Sequence, residues 1–203
     1  MKIKNNGLPT VVMVVVALAL SPVYALAGAR VVRDFSLKNV DGKMVSLNSY
    51  PKAKGFIIIF TCNHCPFAKL YPPRLNELYK KYLPQGVPLI AISSTDTVVF
   101  EEDSFSEMVA KARRESFSFP YLYDDKQVAA STFTAQKTPH AFVIWKVSGE
   151  WVVKYNGAID DNGTEPALVK RHYVADAVDA LLAGKEPLVK ETKSIGCQIH
   201  LRK

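Results

Sequence analysis

The sequence predicts an α/β fold in which helices flank a central mixed β-sheet. Two apolar runs rich in β-branched residues, Gly55–Phe60 and residues 87–93, are typical of central strands that are covered on both faces. Between them, Leu75, Leu78 and Tyr82 recur at helical spacing and predict one buried helix face. Strands therefore alternate with helices along the chain, a pattern that favours a sheet with helices on its faces.

The first residues have the composition of a secretory signal peptide. Lys2 and Lys4 form a short positive segment, residues 11–20 form an apolar run of ten, and Ala-Leu-Ala at 25–27 has the small-x-small pattern of a cleavage site. An uncleaved anchor is the alternative, but ten apolar residues fall short of the roughly 20 that span a bilayer. We expect cleavage after residue 27 and a periplasmic or secreted protein.

The rest of the chain predicts one domain, residues 28–184, followed by a tail, residues 185–203, that contains Cys197. The net charge of +7 falls to +5 when Lys2 and Lys4 are removed. The remaining basic residues are scattered along the chain, whereas nucleic-acid binding proteins present a basic stripe. We therefore expect no nucleic-acid partner.

The elements of the first half of the domain follow from turn residues and apolar spacing. Asp41-Gly42 predicts the turn of an amino-terminal hairpin in residues 35–47. Pro66 suits the first turn of a helix, which Pro72-Pro73 would interrupt. Beyond the second strand we predict a polar loop, residues 95–103, and an amphipathic helix, residues 104–116.

The second half ends with a hairpin and a helix. Residues 117–123 are ambiguous, and residues 126–133 predict a short helix. A strand over residues 140–145 pairs with residues 151–155 across Ser148-Gly149. We predict that the final helix spans residues 165–183 and stops at Gly184.

Three cysteines carry the chemistry of this sequence: Cys62, Cys65 and Cys197. An odd number in an exported chain implies a free thiol or exchange between pairings. Cys62 and Cys65 are only two residues apart, so a bond between them closes a loop too short to add much stability. They lie between a buried strand and a predicted helix start, whose N–H groups stabilise a thiolate. We expect Cys62 to be an exposed nucleophile and Cys65 the resolving thiol.

The residues next to the two cysteines influence their pKa values and the potential of the disulfide. An imidazolium at His64 would lower the pKa of Cys62 and make the disulfide a stronger oxidant; an ordinary exposed histidine is the alternative. Asn63 completes the Cys-Asn-His-Cys motif. Pro66 stands where c-type haem attachment needs a histidine, which disfavours haem.

This arrangement resembles the thioredoxin-like superfamily, in the redoxin branch related to the AhpC/TSA proteins. The resemblance covers residues 33–183 and rests on the hairpin, the strand before the motif, Cys62 to Pro66, and Thr138-Pro139 ahead of a strand. It implies a thioredoxin-like fold with a cis peptide bond before Pro139, facing the disulfide. It also implies that backbone groups of Thr138 pair with a bound partner chain.

The sequence departs from the simplest thioredoxins in two places. An insertion around residues 95–135 separates the motif from Pro139. The strand Gly55–Phe60 has no acidic residue, where thioredoxins often carry a buried carboxylate beneath the cysteines. The sequence therefore does not identify the group that accepts the proton of Cys65.

The resemblance implies a thiol–disulfide oxidoreductase that acts on protein thiols and disulfides, with a membrane electron donor or acceptor as a further partner. The direction of transfer is open. We predict no cofactor and no resident metal.

A thiol peroxidase of the redoxin branch is the main alternative. Its sites place Thr further from the cysteine than Thr61 and add a distant Arg, for which Arg113 and Arg114 are candidates. The other alternative is a copper chaperone that binds the metal through Cys62, Cys65 and a histidine. Such proteins, however, space their cysteines by three residues.

Cys197 follows Gly196 near the end of the tail. We predict that it is a third redox thiol, pairing with one motif cysteine or with a second molecule. An unused thiol is the alternative. His140 either lines the active-site surface or packs, and His172 is expected to be structural or exposed.

Overall fold

The computed structural model describes residues 30–202. The predicted signal peptide, residues 1–27, lies outside these residues. The ten strands are β1 Val31–Val32, β2 Ser36–Asn39, β3 Met44–Ser46, β4 Gly55–Phe60, β5 Leu89–Ser93, β6 Tyr121–Tyr123, β7 Lys137–Thr138, β8 His140–Val147, β9 Glu150–Gly157 and β10 Cys197–Gln198. The α-helices within residues 30–202 are α1 Pro72–Tyr82, α2 Phe105–Arg114, α3 Val128–Phe133 and α4 Tyr173–Leu182.

Eight strands form one mixed sheet in the order β1-β9-β8-β4-β5-β6-β2-β3. Strands β4, β5 and β6 run parallel, whereas β8 pairs antiparallel with β4 and forms a hairpin with β9. The predicted amino-terminal hairpin is β2–β3, and it extends the sheet beyond β6. The predicted α/β fold with a central mixed sheet is confirmed. Strand β6 lies in the segment that the sequence left ambiguous.

The core has two layers because successive side chains of a strand point to opposite faces. Ile57 and Ile59 of β4 pack on the face that carries α1 and α4. Phe56, Ile58 and Phe60 pack on the other face, against α3 and Phe142 of β8. All five side chains are fully buried, which explains why this strand reads as a continuous apolar run.

The helix after the cysteine motif differs from the prediction. Cys65 begins a single helical turn, in which the N–H of Lys69 donates to its carbonyl, and a 3₁₀ turn at Ala68–Leu70 follows. The α-helix starts only at Pro72, because a proline restricts the residue before it and suits the first helical turn. The cysteines therefore precede a short, irregular helical turn and do not cap α1.

The final helix also starts later than predicted. Residues 165–183 were expected to be helical, but α4 begins at Tyr173 and a 3₁₀ turn occupies Pro166–Leu168, with Leu168 exposed. The carboxylate of Asp161 accepts the N–H of Lys170, and Asn162 accepts that of Glu165. These side chains compete with helical hydrogen bonds and hold the segment as a loop.

The tail crosses the end of the sheet where the cysteines lie. Its strand β10 pairs antiparallel with β7, just before Pro139, in a separate two-stranded sheet. We call residues 196–202 the carboxy-terminal strap. Ile199 of the strap is 4% exposed and packs in the same apolar cluster as Phe60. Among the helices of residues 30–202, none has the length and apolar character needed to span a bilayer.

Candidate active site

Cys62 and Cys65 lie in the loop that leaves the carboxyl end of β4, next to the start of β8. Both are free thiols, and both are 0% exposed. The Sγ of Cys62 lies 3.0 Å from Oγ1 of Thr138, and the Sγ of Cys65 lies 3.1 Å from the carbonyl oxygen of Thr138. The structure thus brings the two predicted thiols onto Thr138. Cys62, which we expected to be exposed, is covered.

Pro139 adjoins this contact. The Thr138–Pro139 peptide bond is cis, as the resemblance implies. Strand β8 starts immediately after it and pairs with β4, with His140 opposite Phe60. This pairing fixes the loop of Thr138 beside the loop of the cysteines.

A buried carboxylate, Asp103, holds the loop of the cysteines in place. Its Oδ1 accepts the backbone N–H of Asn63 and, at 3.3 Å, that of His64. Its Oδ2 lies 2.5 Å from Nδ1 of His64. The side-chain amide of Asn63 donates to the carbonyl of Glu102 at 2.7 Å. Because Asp103 is fully buried, the turn before α2 and the cysteine motif form one hydrogen-bonded unit.

Two further buried groups reach the same loop. Lys111 of α2 is 3% exposed, and its Nζ donates to the carbonyl of Cys62 at 2.8 Å. Burial lowers the pKa of Lys111, whereas the neighbouring Asp103 carboxylate and Cys62 oppose that shift. The hydroxyl of Tyr121 donates to Oδ1 of Asn63 at 3.0 Å, and burial raises its pKa. A cation, an anion and a phenol therefore surround the first cysteine.

His64, which was predicted to lower the pKa of Cys62, is bound to a carboxylate. Its ring pairs with Asp103 and stacks on Phe100 at 3.8 Å between ring centroids, so any imidazolium charge is balanced by the carboxylate. The pKa of Cys62 is raised, first by its hydrogen bond with Cys65, then by burial and by the negative charge of Asp103. The Thr138 hydroxyl opposes this rise only in part.

Cys65 has the opposite shift. Its pKa is lowered to about 4, chiefly because Cys62 hydrogen-bonds to its sulfur, while burial opposes the shift and contacts with Cys197 assist it. The N–H of Cys197 points at the Cys65 sulfur at 3.3 Å. The two cysteines therefore titrate as one coupled pair, whose first proton leaves at a low pKa.

The third cysteine joins the first two. Cys197 is half-buried, lies opposite Thr138 in the β10–β7 pair and packs against the cluster of Cys62, Cys65 and Ala68. All three thiols of the chain thus meet at one place, although the sequence separates the third from the others by more than half its length.

The remaining predicted candidates lie at different places. His140 is 7% exposed beside Pro139, and burial, with the charge of Arg30, lowers its pKa to about 4. His172, Arg113 and Arg114 are exposed. Neither arginine is therefore buried with the cysteines, where the cation is Lys111.

One group within residues 30–202 has the composition of a metal site. Ligand atoms of Cys62, His64 and Asp103 all lie within 4.8 Å of one another. It overlaps the predicted copper set at Cys62 and the histidine, with Asp103 in place of Cys65. The short His64–Asp103 contact already occupies one ligand atom of each, and the ammonium of Lys111 adds positive charge beside Cys62. An ion would have to displace that contact.

Four residues of the site were not predicted from the sequence: Asp103, Lys111, Phe100 and Tyr121. Each comes from the region assigned as an insertion, and the sequence placed Asp103 in an ordinary polar loop. A lysine on the apolar side of the predicted helix 104–116 was the one available signal, since lysine is seldom fully buried without a partner. The carboxylate missing from β4 is thus supplied from a distant turn.

Comparison with solved structures identifies the fold. The crystal structure of an uncharacterized conserved protein from Geobacillus kaustophilus is 34% identical, with a TM-score of 0.78 over 86% of this chain and 92% of that one. A thioredoxin family thiol:disulfide interchange protein from Chlorobium tepidum TLS is 20% identical, with a TM-score of 0.50 over 61% and 82%. The second likeness concerns the fold alone, and the fold is thioredoxin-like.

Two curated relatives match parts of the chain. Thiol-disulfide oxidoreductase ResA of Bacillus thuringiensis (strain Al Hakam) is 27% identical over 113 residues, which are 56% of this chain and 61% of the relative. Phospholipid hydroperoxide glutathione peroxidase 1, chloroplastic, of Arabidopsis thaliana is 33% identical over 82 residues, 40% of this chain and 34% of the relative. The chain thus matches less than two thirds of the length of either relative.

A family model describes most of the domain. The AhpC/TSA family model matches residues 29–161, a range that contains both motif cysteines and the cis proline. Because the match extends over well more than half of the sequence, the chain belongs to the AhpC/TSA family.

Proposed function

We propose that the chain is an exported thiol–disulfide oxidoreductase that exchanges disulfides with partner proteins through Cys62 and Cys65. The observation that carries the proposal is the pair of buried thiols, both hydrogen-bonded to Thr138 next to the cis proline. A short loop of two intervening residues lets the sulfurs bond without moving the strands. The likeness to an oxidoreductase, ResA, supports the same chemistry.

The coupled titration gives each cysteine a role. When the sulfur of Cys62 attacks a partner disulfide, its proton passes to the neighbouring sulfur of Cys65, and one partner sulfur leaves as thiolate. Cys65 then attacks Cys62 in the mixed disulfide, and its proton goes to the second departing sulfur. The partner ends as a dithiol and the protein holds a Cys62–Cys65 disulfide. The departing partner sulfur is thus the acceptor for the Cys65 proton, which the sequence left unnamed.

The buried charges position the reacting loop. Asp103 fixes the N–H groups of Asn63 and His64, and Lys111 binds the carbonyl of Cys62, so the loop keeps its shape when the cysteines change charge. Lys111 favours a thiolate at the pair, whereas Asp103 disfavours one. The balance of these two residues sets the potential of the disulfide.

A groove beside the site suits a partner polypeptide. It has a volume of about 550 Å³ and adjoins Pro139. Phe67, Tyr71 and Ile195 line it, and Phe67 and Ile195 are exposed apolar residues. Exposed apolar surface next to a reactive centre is typical of a site that receives a protein.

The first experiment is a redox titration of the purified protein in glutathione buffers, with thiols trapped and disulfides mapped by mass spectrometry. We expect a reversible Cys62–Cys65 couple. A potential of about −120 to −180 mV marks an oxidant or isomerase, and one near −270 mV marks a reductant that needs a membrane donor. A protein without such a couple would refute the proposal.

Export is part of this proposal and rests on residues 1–27 alone. Amino-terminal sequencing of the protein recovered from a cell with an outer membrane tests it. We expect a mature periplasmic chain that starts at Gly28. A cytoplasmic protein that retains Lys2 and Lys4 would contradict export and leave the exchange chemistry standing.

A thiol peroxidase is the second candidate, favoured by the Arabidopsis relative, whose name describes a hydroperoxide peroxidase. The exposed position of Arg113 and Arg114 speaks against it, because a peroxidase needs its arginine at the reactive sulfur. Peroxide turnover that is lost in Cys62→Ser and exceeds disulfide exchange in the wild type would favour this candidate. Equal turnover in both proteins would remove it.

A further inference from the structure

We infer that the strap is an internal substrate strand and that Cys197 is a shuttle thiol, which takes the disulfide from the Cys62–Cys65 pair and delivers it to the partner protein. The inference rests on the proposed function and adds a third cysteine to its route. It follows from the place of β10, the access to the three sulfurs and the contacts that hold the strap.

Strand β10 occupies the backbone edge that a partner chain would use. A polypeptide whose sulfur reaches the buried pair must pass Thr138, since Thr138 contacts both sulfurs. The edge of β7 at Thr138 is paired with β10 and lies outside the main sheet. Addition of an extended segment to such an edge is a general mode of peptide binding. The strap thus already makes the contacts of a bound substrate, with a cysteine at the reacting position.

The sequence of the strap fits this close approach. A Cβ built on Gly196 would lie 2.0 Å from the carbonyl oxygen of Thr138, so only glycine fits before Cys197. The N–H of Cys197 reaches the Cys65 sulfur at 3.3 Å. Cys197 therefore contacts Cys65, and not Cys62, of the two motif cysteines.

The solvent exposure of the three cysteines favours the same route. Cys62 and Cys65 are 0% exposed, whereas Cys197 is only half-buried. A protein partner therefore meets Cys197 before it meets either motif cysteine. In the closed arrangement, the shuttle thiol is the one sulfur of the three that a large molecule can approach.

The strap is built to stay in place. The N–H of Ile199 donates to the carbonyl of Gln136 at 2.8 Å, and the Ile199 side chain is buried. The carbonyl of His200 accepts the side-chain amide of Gln127 at 2.7 Å. Arg202 forms ion pairs with Asp96 and Asp125. These contacts keep Cys197 at the pair between turnovers.

The transfer balances without an added oxidant. In the oxidised protein, the thiolate of Cys197 attacks the sulfur of Cys65, the Cys65–Cys197 disulfide forms, and Cys62 leaves as thiolate and takes the proton released by Cys197. A partner thiolate then attacks Cys197 and frees Cys65. The second partner thiol attacks the mixed disulfide and frees Cys197. The partner dithiol is oxidised to a disulfide, and the Cys62–Cys65 disulfide becomes a dithiol.

The charge on Cys65 makes the reactivity of Cys197 depend on the redox state of the Cys62–Cys65 pair. Burial, the hydrogen bond with Cys65 and the Cys65 charge raise the pKa of Cys197 to about 11 in the reduced protein. Oxidation of the pair removes that charge, so the Cys197 thiolate forms more readily when there is a disulfide to attack. The reduced protein keeps its shuttle thiol protonated.

The test uses the purified full chain with Cys62→Ser, oxidised with one equivalent of diamide. We expect a Cys65–Cys197 disulfide, found by peptide mass spectrometry, that forms at a rate independent of protein concentration. The matched control is Cys62→Ser/Cys197→Ser/Ser194→Cys, which keeps two thiols but moves the tail thiol three residues upstream of its place opposite Thr138. We expect the intramolecular disulfide to form at least tenfold more slowly in the control.

A second measurement follows oxidation of reduced ribonuclease A by the oxidised protein. We expect Cys197→Ser to slow this reaction at least tenfold while a reversible Cys62–Cys65 couple remains. An unchanged or faster rate, or no Cys65–Cys197 bond in Cys62→Ser, would overturn the shuttle. Loss of the Cys62–Cys65 couple from the wild type itself would instead refute the proposed function.

Discussion

Nδ1 of His64 lies 2.5 Å from Oδ2 of Asp103, and the same carboxylate holds two backbone N–H groups of the cysteine loop. The histidine of the motif is therefore tied to a residue that comes from the turn before α2. This contact turns the motif histidine into an anchor, and it places a negative charge beside Cys62.

Asp103→Asn should weaken the fold and make the disulfide more oxidising. Loss of buried hydrogen bonds to a charged group lowers the free energy of unfolding of the reduced protein by about 2–4 kcal/mol, measured in urea. Removal of the negative charge favours the thiolate and raises the potential by about 30 mV. Glu102→Gln, an exposed carboxylate on the same turn, is the control and should change neither value. A potential that falls would contradict the assigned role.

Lys111→Met should shift the potential the other way. Its ammonium stabilises negative charge at the pair, so its loss lowers the potential by about 30 mV, measured in the same glutathione titration. Arg113→Met removes an exposed cation from the same helix and should leave the potential unchanged. Equal shifts in both variants would mean that the contact of Lys111 with Cys62 has no special effect.

The potential should have a shallow pH dependence. Because the pKa of Cys65 is lowered to about 4 and that of Cys62 is raised, the reduced pair holds one proton over neutral pH. Two electrons then travel with one proton, which gives a slope of about 30 mV per pH unit between pH 5 and 8. A slope twice as steep would show that both sulfurs are thiols.

His140 should make the fold sensitive to acid. Its folded pKa of about 4 lies below its ordinary value of 6.5, so the unfolded chain binds more protons between these values. Stability rises with pH across this window, and its loss on acidification amounts to about 2–3 kcal/mol at pH 4.5. Urea unfolding of His140→Gln should show a flatter pH dependence. The exposed His172→Gln, as control, should behave like the wild type.

Gly196→Ala should displace the strap. A Cβ at this position meets the Thr138 carbonyl at 2.0 Å, so the β10–β7 pair has to open. We expect Cys65 to react with iodoacetamide at least tenfold faster than in the wild type, because its cover is gone. Ser194→Ala, outside the paired residues of the strap, serves as control. An unchanged rate would show that the strap accommodates a methyl group.

The sequence was most informative where local pattern decides structure. Gly55–Phe60 was predicted with the bounds that the structure has, since six consecutive apolar residues need cover on both faces. The turn of the β2–β3 hairpin and the helix α2 were also predicted, from Asp41-Gly42 and from amphipathic spacing. The bounds of α4 and the form of the turn after Cys65 were wrong, because loop side chains and consecutive prolines decided them.

Only some of the residues of the site could be predicted from the sequence. Cys62, Cys65 and Pro139 are marked by their spacing and by family resemblance. Asp103 binds Asn63 and Lys111 binds Cys62 through contacts that span 40 and 49 residues, and an isolated acid in a polar loop has no pattern that distinguishes it. The direction of the cysteine pKa shifts depends on which groups face each sulfur, which only the folded chain determines.

Ile199 couples the cover of the active site to the interior of the protein. Burial of an isoleucine side chain contributes about 1.5–3 kcal/mol, which by itself corresponds to an uncovered population of roughly 0.6 to 7%. Because Ile199 packs in the same cluster as Phe60 and Phe142, warming or core mutations that loosen this cluster also uncover the sulfurs. The rate at which the buried thiols react thus reports on the packing of this cluster. It does so well below the temperature at which the protein unfolds.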